Sequence, residues 1–334
     1  MDNEGVFLIR GCCYNHRYIW MVCGIYLFQI DRLNGEHRET VNIPVSFLEG
    51  VESNLTMYER NESVFLISEK KSRLCIVDFG DKSTTIIDKG LPESEDSLWI
   101  VTDEGEVIVF SVFHADLFIC KRNGNVEKRS SFREALLEEI NKFGLQYIHI
   151  RGHASFLNEE CIVLIVKTNV NDCVCVIDAG SFCILRVMIL DERYKNCYGI
   201  GYFDGALWLQ SVRNSVSYII KKDINNQMKD DEWRLTYGFG KCKYLSKNKK
   251  GIVVVSNSGN IGIISYNKRD IDMVLVEQGM PFSISMNRIY DEFLVRKGLL
   301  ISVIDANELT QMAVYSFAGI PNLSDFLKRI ISNS

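Results

Sequence analysis

The chain has 334 residues, 47% of them hydrophobic, and its 38 basic and 43 acidic side chains leave a net charge of −5. With a mean hydropathy of +0.00, this composition excludes a disordered chain. The acidic balance supplies no field to hold a polyanion, so nucleic acid is not expected as a partner.

No apolar run approaches the ~18 residues that a membrane-spanning helix needs, so no membrane partner is expected either. The opening Met1-Asp2-Asn3-Glu4 is acidic where a secretory leader is basic. The 11 cysteines are odd in number, and Cys23, Cys75, Cys120, Cys161 and Cys175 lie inside apolar runs. There they act as small hydrophobes rather than as a disulfide framework. A reducing, cytoplasmic setting is expected.

Along the chain one element recurs: an aromatic or Val, a short polar turn, then an apolar strand. It begins at Tyr14, Tyr58, Val101, Phe156, Tyr202, Tyr244 and Tyr290, at intervals of 44, 43, 55, 46, 42 and 46 residues. A second element follows in phase, an apolar strand closed by a polar residue and a turn. Examples are Leu74-Cys75-Ile76-Val77-Asp78, Val174-Cys175-Val176-Ile177-Asp178 and Leu300-Ile301-Ser302-Val303-Ile304-Asp305. Asn34-Gly35 and Asn123-Gly124 stand where hairpin turns belong.

Each unit therefore holds four short strands, and four-stranded units of ~40–45 residues predict a β-propeller. A lone four-stranded sheet has two apolar faces, and stacking the sheets in a closed ring covers them all. The expectation is an all-β ring over residues 1–320 with seven blades, six being the alternative count, and a separate C-terminal segment at 321–334. The repeat resembles that of a generic β-propeller, and residues 174–178 are similar to the strand repeat of surface-layer and lactonase-type propellers. The Gly-His and Trp-Asp marks of WD40 repeats and the double glycines of kelch repeats are absent. Trp20 and Trp208 fall within strands, where a core role is expected.

Function is sought where the repeat is broken. The 55-residue interval holds Ser131-Phe132-Arg133-Glu134, with capping-box spacing, followed by Leu136, Leu137, Ile140 and Phe143 at helical period and then Gly144. This predicts an amphipathic helix at 131–143 between blades three and four. It either caps its own ring or docks a partner through Phe132, Leu136, Leu137, Ile140 and Phe143.

Next comes Tyr147-Ile148-His149-Ile150-Arg151-Gly152-His153. On a regular strand Tyr147, His149, Arg151 and His153 share a face. As the innermost strand of blade four they would line the central channel, and they suit a small anionic ligand. Arg151 between the histidines disfavours a metal.

Cys12-Cys13 and Cys173-Val174-Cys175 lack a second pair at metal-binding spacing and are read as buried structural residues. Residues 223–231 and the basic stretch from Lys241 to Lys250 are read as solvated loops. After Pro321, the residues Leu323, Phe326, Leu327, Ile330 and Ile331 form one apolar stripe of a short helix. Phe326 and Ile330 are further docking candidates, on the ring itself or on a partner.

No nucleophile motif, phosphate loop or metal site is found, and no cofactor is expected. The expected function is a non-catalytic protein-interaction scaffold whose partner is another protein. The alternative is an enzyme or receptor for a small anionic, sugar or lactone-like molecule at the channel mouth.

Overall fold

The computed structural model describes residues 9–316, apart from 52–54, 93–96, 103, 156–160, 195–197 and, beyond residue 203, most of the turns between strands. The described strands form seven four-stranded antiparallel sheets. They occupy residues 9–42, 56–87, 97–129, 147–189, 198–234, 242–275 and 283–316. Every sheet pairs its strands in sequence order, so each is one contiguous blade. First strands lie beside one another in blades one and two, three and four, four and five, and five and six, which places first strands innermost, and Ile9–Tyr14 of blade one also lies against Ser283–Asn287 and Glu292–Lys297 of blade seven. The chain is a β-propeller.

The strand chemistry follows radial position. Middle strands such as Ser63–Ser68 and Gly251–Ser256 are buried at every residue, as sheets covered on both faces require. Outer strands such as His37–Asn42, Val126–Arg129 and Asp231–Arg234 are polar and half-buried or exposed. Charge along these edges discourages pairing with another chain. Trp20 and Trp208 are buried, as expected from their strand positions.

Strand direction gives the ring two faces. The connection face carries the links from each fourth strand to the next first strand, together with the turns between second and third strands. The hairpin face carries the first-to-second and third-to-fourth turns. The connections insert apolar side chains into the clefts between blades. Helix α1 (Val45–Leu48) buries Phe47 and Leu48 between blades one and two. Helix α2 (Ser130–Asn141) buries Phe132, Leu136 and Ile140 between blades three and four. Leu190 and Tyr194 fill the cleft between blades four and five, and Leu235 packs in the core shared by blades five and six.

Helix α2 starts at Ser130, one residue before the expected boundary. Arg129 is its N-cap, and no side chain caps it. The capping box expected at Ser131 and Glu134 does not form because the helix continues directly from the outer strand of blade three. Gly144, at φ +69, supplies the left-handed residue that ends the connection.

Blade one meets blade seven on the hairpin face. The Tyr14 hydroxyl donates to the Glu292 carbonyl at 2.9 Å, and Arg32 Nη2 reaches the Glu292 carboxylate at 2.9 and 3.2 Å. The guanidinium of Arg32 lies 5.2 Å from the centre of the Tyr14 ring. The segment 321–334, with Phe326 and Ile330, lies outside the described residues, as do residues 224–230 and 248–250, but the lysine-rich stretch expected as a solvated loop holds the strand Cys242–Lys247, the first strand of blade six paired with Gly251–Ser256.

Candidate functional site

The expected site residues lie on the innermost strand of blade four, Tyr147–Ser155. Its register with Cys161–Thr168 shifts twice. Tyr147 pairs with Thr168 and His149 with Lys167, then Ile150 with Val166 and Gly152 with Ile165. Ile148 and Arg151 are therefore extra residues in β-bulges. Each bulge interrupts the alternation on which a single shared face depends, and the side chains take separate partners.

The Tyr147 hydroxyl donates to the Val112 carbonyl in the neighbouring blade, and burial raises its pKa above the usual phenol range. The His149 ring packs 5.9 Å from the ring of Phe113. Arg151 forms an ion pair with Asp172, whose side chain is only 7% exposed. The Asp172 carbonyl in turn accepts from the Leu190 amide at 2.8 Å. The backbone of His153 pairs with Leu164, and its side chain lies outside the description. Neither Asp172 nor Phe113 was picked out from the sequence. Both sit in turns between apolar strands, with no local pattern linking them to residues 147–153.

Hydrogen bonds tie these turns to the start of the strand. The Ile150 amide donates to the Val112 carbonyl at 3.0 Å. The Gln146 amide donates to Asn169 Oδ1 at 2.9 Å, and the Asn169 amide returns a bond to the Gln146 carbonyl at 3.0 Å. Held on this framework are Phe113, Phe143, Ile148 and Val170, exposed by 53, 47, 44 and 57%. Ile25 and Val45, also exposed, lie on the same connection face over blades one and two. Isolated exposed apolar residues are ordinary, but here several lie on turns of one face.

The docking residues proposed on α2 divide. Phe132, Leu136 and Ile140 are buried in the chain's own core, Leu137 is half-buried, and Phe143 is exposed. The face of α2 that sequence periodicity identifies is thus its attachment to blades three and four. The exposed contribution comes from the loop that follows.

The ten described cysteines are free. Burial pushes Cys75 and Cys120 up to about 12 and Cys23 to about 11, which suppresses the reactive thiolate. Cys12, Cys13, Cys173 and Cys175 are all buried. Among the described residues no group of three or more His, Cys, Asp or Glu could hold a metal ion. No described helix is long and apolar enough to cross a membrane.

No protein-family model matches the sequence, and no curated protein matches it significantly. Solved structures do match in fold. Virginiamycin B lyase from Staphylococcus aureus superposes with a TM-score of 0.57 at 11% identity, covering 88% of this chain and 92% of that one. The computationally designed Ika8 protein gives 0.56 at 9% identity, over 94% and 88% of the two chains. The Neurospora crassa Pan2 WD40 domain gives 0.51 at 9% identity, over 88% and 87%. At these identities the likeness is one of fold, and the fold of this chain is a β-propeller.

Proposed function

We propose that this chain is a protein-interaction module that receives its partner on the connection face over blades three and four. The observation that carries the reading is the set of exposed apolar side chains, Phe113, Phe143, Ile148 and Val170, on turns fastened to one another by hydrogen bonds. A rigid apolar patch offers contact area at low cost in conformational entropy, which favours recognition of another protein. Similar folds include both a lyase and a WD40 domain, so architecture by itself does not decide between catalysis and binding.

The alternative, a small anionic ligand held by Tyr147, His149, Arg151 and His153, has weaker support. Asp172 already neutralises Arg151, and the bulges interrupt the shared face. The free cysteines accord with a reducing, cytoplasmic setting.

The test compares wild type with Phe113→Asp and Phe143→Asp by quantitative affinity purification from the native cell. The expected result is a roughly tenfold or greater loss of a specific partner in either variant, with an unchanged melting temperature. An unchanged partner set would overturn the reading. Melting shifts with small anions that vanish in Arg151→Ala would favour the alternative.

A further inference from the structure

The outer strand of each blade is a sheet edge, with one row of backbone amides and carbonyls turned away from its partner strand. In blades one, three and five these edges are His37–Asn42, Val126–Arg129 and Asp231–Arg234, and each carries two or three charged side chains. Blade four departs from this pattern. Its outer strand, Ile184–Ile189, reads Ile-Leu-Arg-Val-Met-Ile, with Arg186 as its one charge. Leu185 and Ile189 are 58 and 40% exposed, and Arg186 is exposed beside them. These exposures place the outer wall of the strand at the molecular surface.

Register determines which backbone groups this edge offers. Just beyond the strand, the Leu190 amide donates to the Asp172 carbonyl at 2.8 Å. Bonded and non-bonded pairs alternate along an antiparallel ladder. Met188 and Arg186, opposite Val174 and Val176, therefore bond inward. Val187 and Ile189, opposite Cys175 and Cys173, turn amide and carbonyl outward. A bulge at Leu185 blunts the hairpin-face end of the strand. Residues 186–189 stay in regular register and run toward the connection face. There Ile189 pairs with Cys173, which follows the turn carrying the exposed Val170.

An edge of this kind accepts an added strand, with affinity from main-chain hydrogen bonds and specificity from alternate side chains. Charge selects the occupant. A second copy paired antiparallel about a two-fold axis at Val187 would set the two Arg186 side chains two positions apart on one sheet face, a like-charge approach. A segment of another protein with an acidic residue near Arg186 meets the edge with opposite charge.

We infer that residues 186–189 are a β-augmentation edge, which receives an extended, apolar and acidic segment of a partner protein as the fifth strand of blade four. This rests on the partner surface proposed over blades three and four, and it gives the path by which the partner's chain continues onto the outer wall.

The test uses two variants that differ in one backbone donor. Ile189→Pro deletes the outward amide, whereas Ile189→Thr keeps it and removes the same apolar side chain. The probe is a synthetic eight-residue peptide of alternating valine and threonine with one central glutamate, read by amide hydrogen exchange of the full chain. The peptide should slow exchange at Val187 by roughly tenfold or more in wild type and in Ile189→Thr, and leave it unchanged in Ile189→Pro. The melting temperature of Ile189→Pro should stay within about 2 °C of wild type. Equal protection in Ile189→Pro, no protection in wild type, or dimerisation of the chain through this strand would overturn the inference. Arg186→Glu supplies a readout that does not depend on a proline: it should bind the same peptide better with lysine in place of the glutamate. An unchanged preference for glutamate would also overturn the inference. In affinity purification Ile189→Pro should lose the partner that Phe113→Asp loses. Loss in Phe113→Asp with retention in Ile189→Pro would overturn the added strand and leave the partner surface standing, while retention in both would overturn the surface itself.

Discussion

His37 lies on the outer strand of blade one, 6.1 Å from the Phe28 ring, with Nε2 2.7 Å from Thr40 Oγ1. Burial lowers its pKa below 6.5, against the opposing influence of Glu39. The unfolded chain therefore binds the proton more readily than the folded one. The contribution is present above about pH 6.5 and is lost as pH falls through the folded value. Acidification from about pH 7 to about pH 5 should lower the melting temperature less in His37→Gln than in wild type. Equal slopes would remove His37 from the account. Glu59 has the opposite sign, since burial raises its pKa and its protonated form favours the fold. The comparison of His37→Gln with wild type cancels it. The sequence identified His149 and Arg151 as chemically distinctive at this scale, and both lie on the inner strand. It did not show that Arg151 is paired, because Asp172 reaches it from 21 residues away.

The elements differ in how openly the sequence displays them. Middle strands and α2 have their positions written in apolar periodicity, since burial is what selects those residues. Leu136→Ala should cost about 2–5 kcal/mol in denaturant unfolding, as expected for a leucine removed from a closed core. Phe143→Ser, at an exposed position, should stay within about 0.5 kcal/mol. Similar losses for both would show that α2 is seated differently. The bulges at Ile148 and Arg151 are another matter. A bulge depends on the register between two strands, and residue type records periodicity without recording register. That is why the first-strand location of the candidate site was legible while its four-residue face was not. The start of α2 was misplaced for a related reason, because a good capping pattern was outweighed by direct continuation from the preceding strand.

The whole molecule depends on a joint between blades one and seven that no backbone segment crosses among the described residues. Arg32 and Glu292 are 13 and 9% exposed, so removal of one partner strands a charge in a poorly hydrated place. Glu292→Gln should lower unfolding stability by about 2–4 kcal/mol, and replacing both residues by methionine should recover part of that loss. If the double variant were no better than the single one, the pair would be contributing attraction rather than compensating burial. The repeat of four-stranded units was readable from the intervals, whereas this pair, 260 residues apart in sequence, was not. Repeat arithmetic describes each unit and is silent about how the first unit meets the last.

Because every blade is contiguous, the structure also dictates an order of assembly during synthesis. Pairing within a blade requires only neighbouring hairpins, so blades can form one after another as the chain emerges. Closure must wait for residue 292, since the Tyr14 to Glu292 bond spans 278 residues. Until then the nascent protein is an open arc whose first blade exposes the apolar side of Tyr14, Met21 and Phe28. The period of greatest vulnerability to aggregation is therefore the interval between completion of blade one and arrival of blade seven.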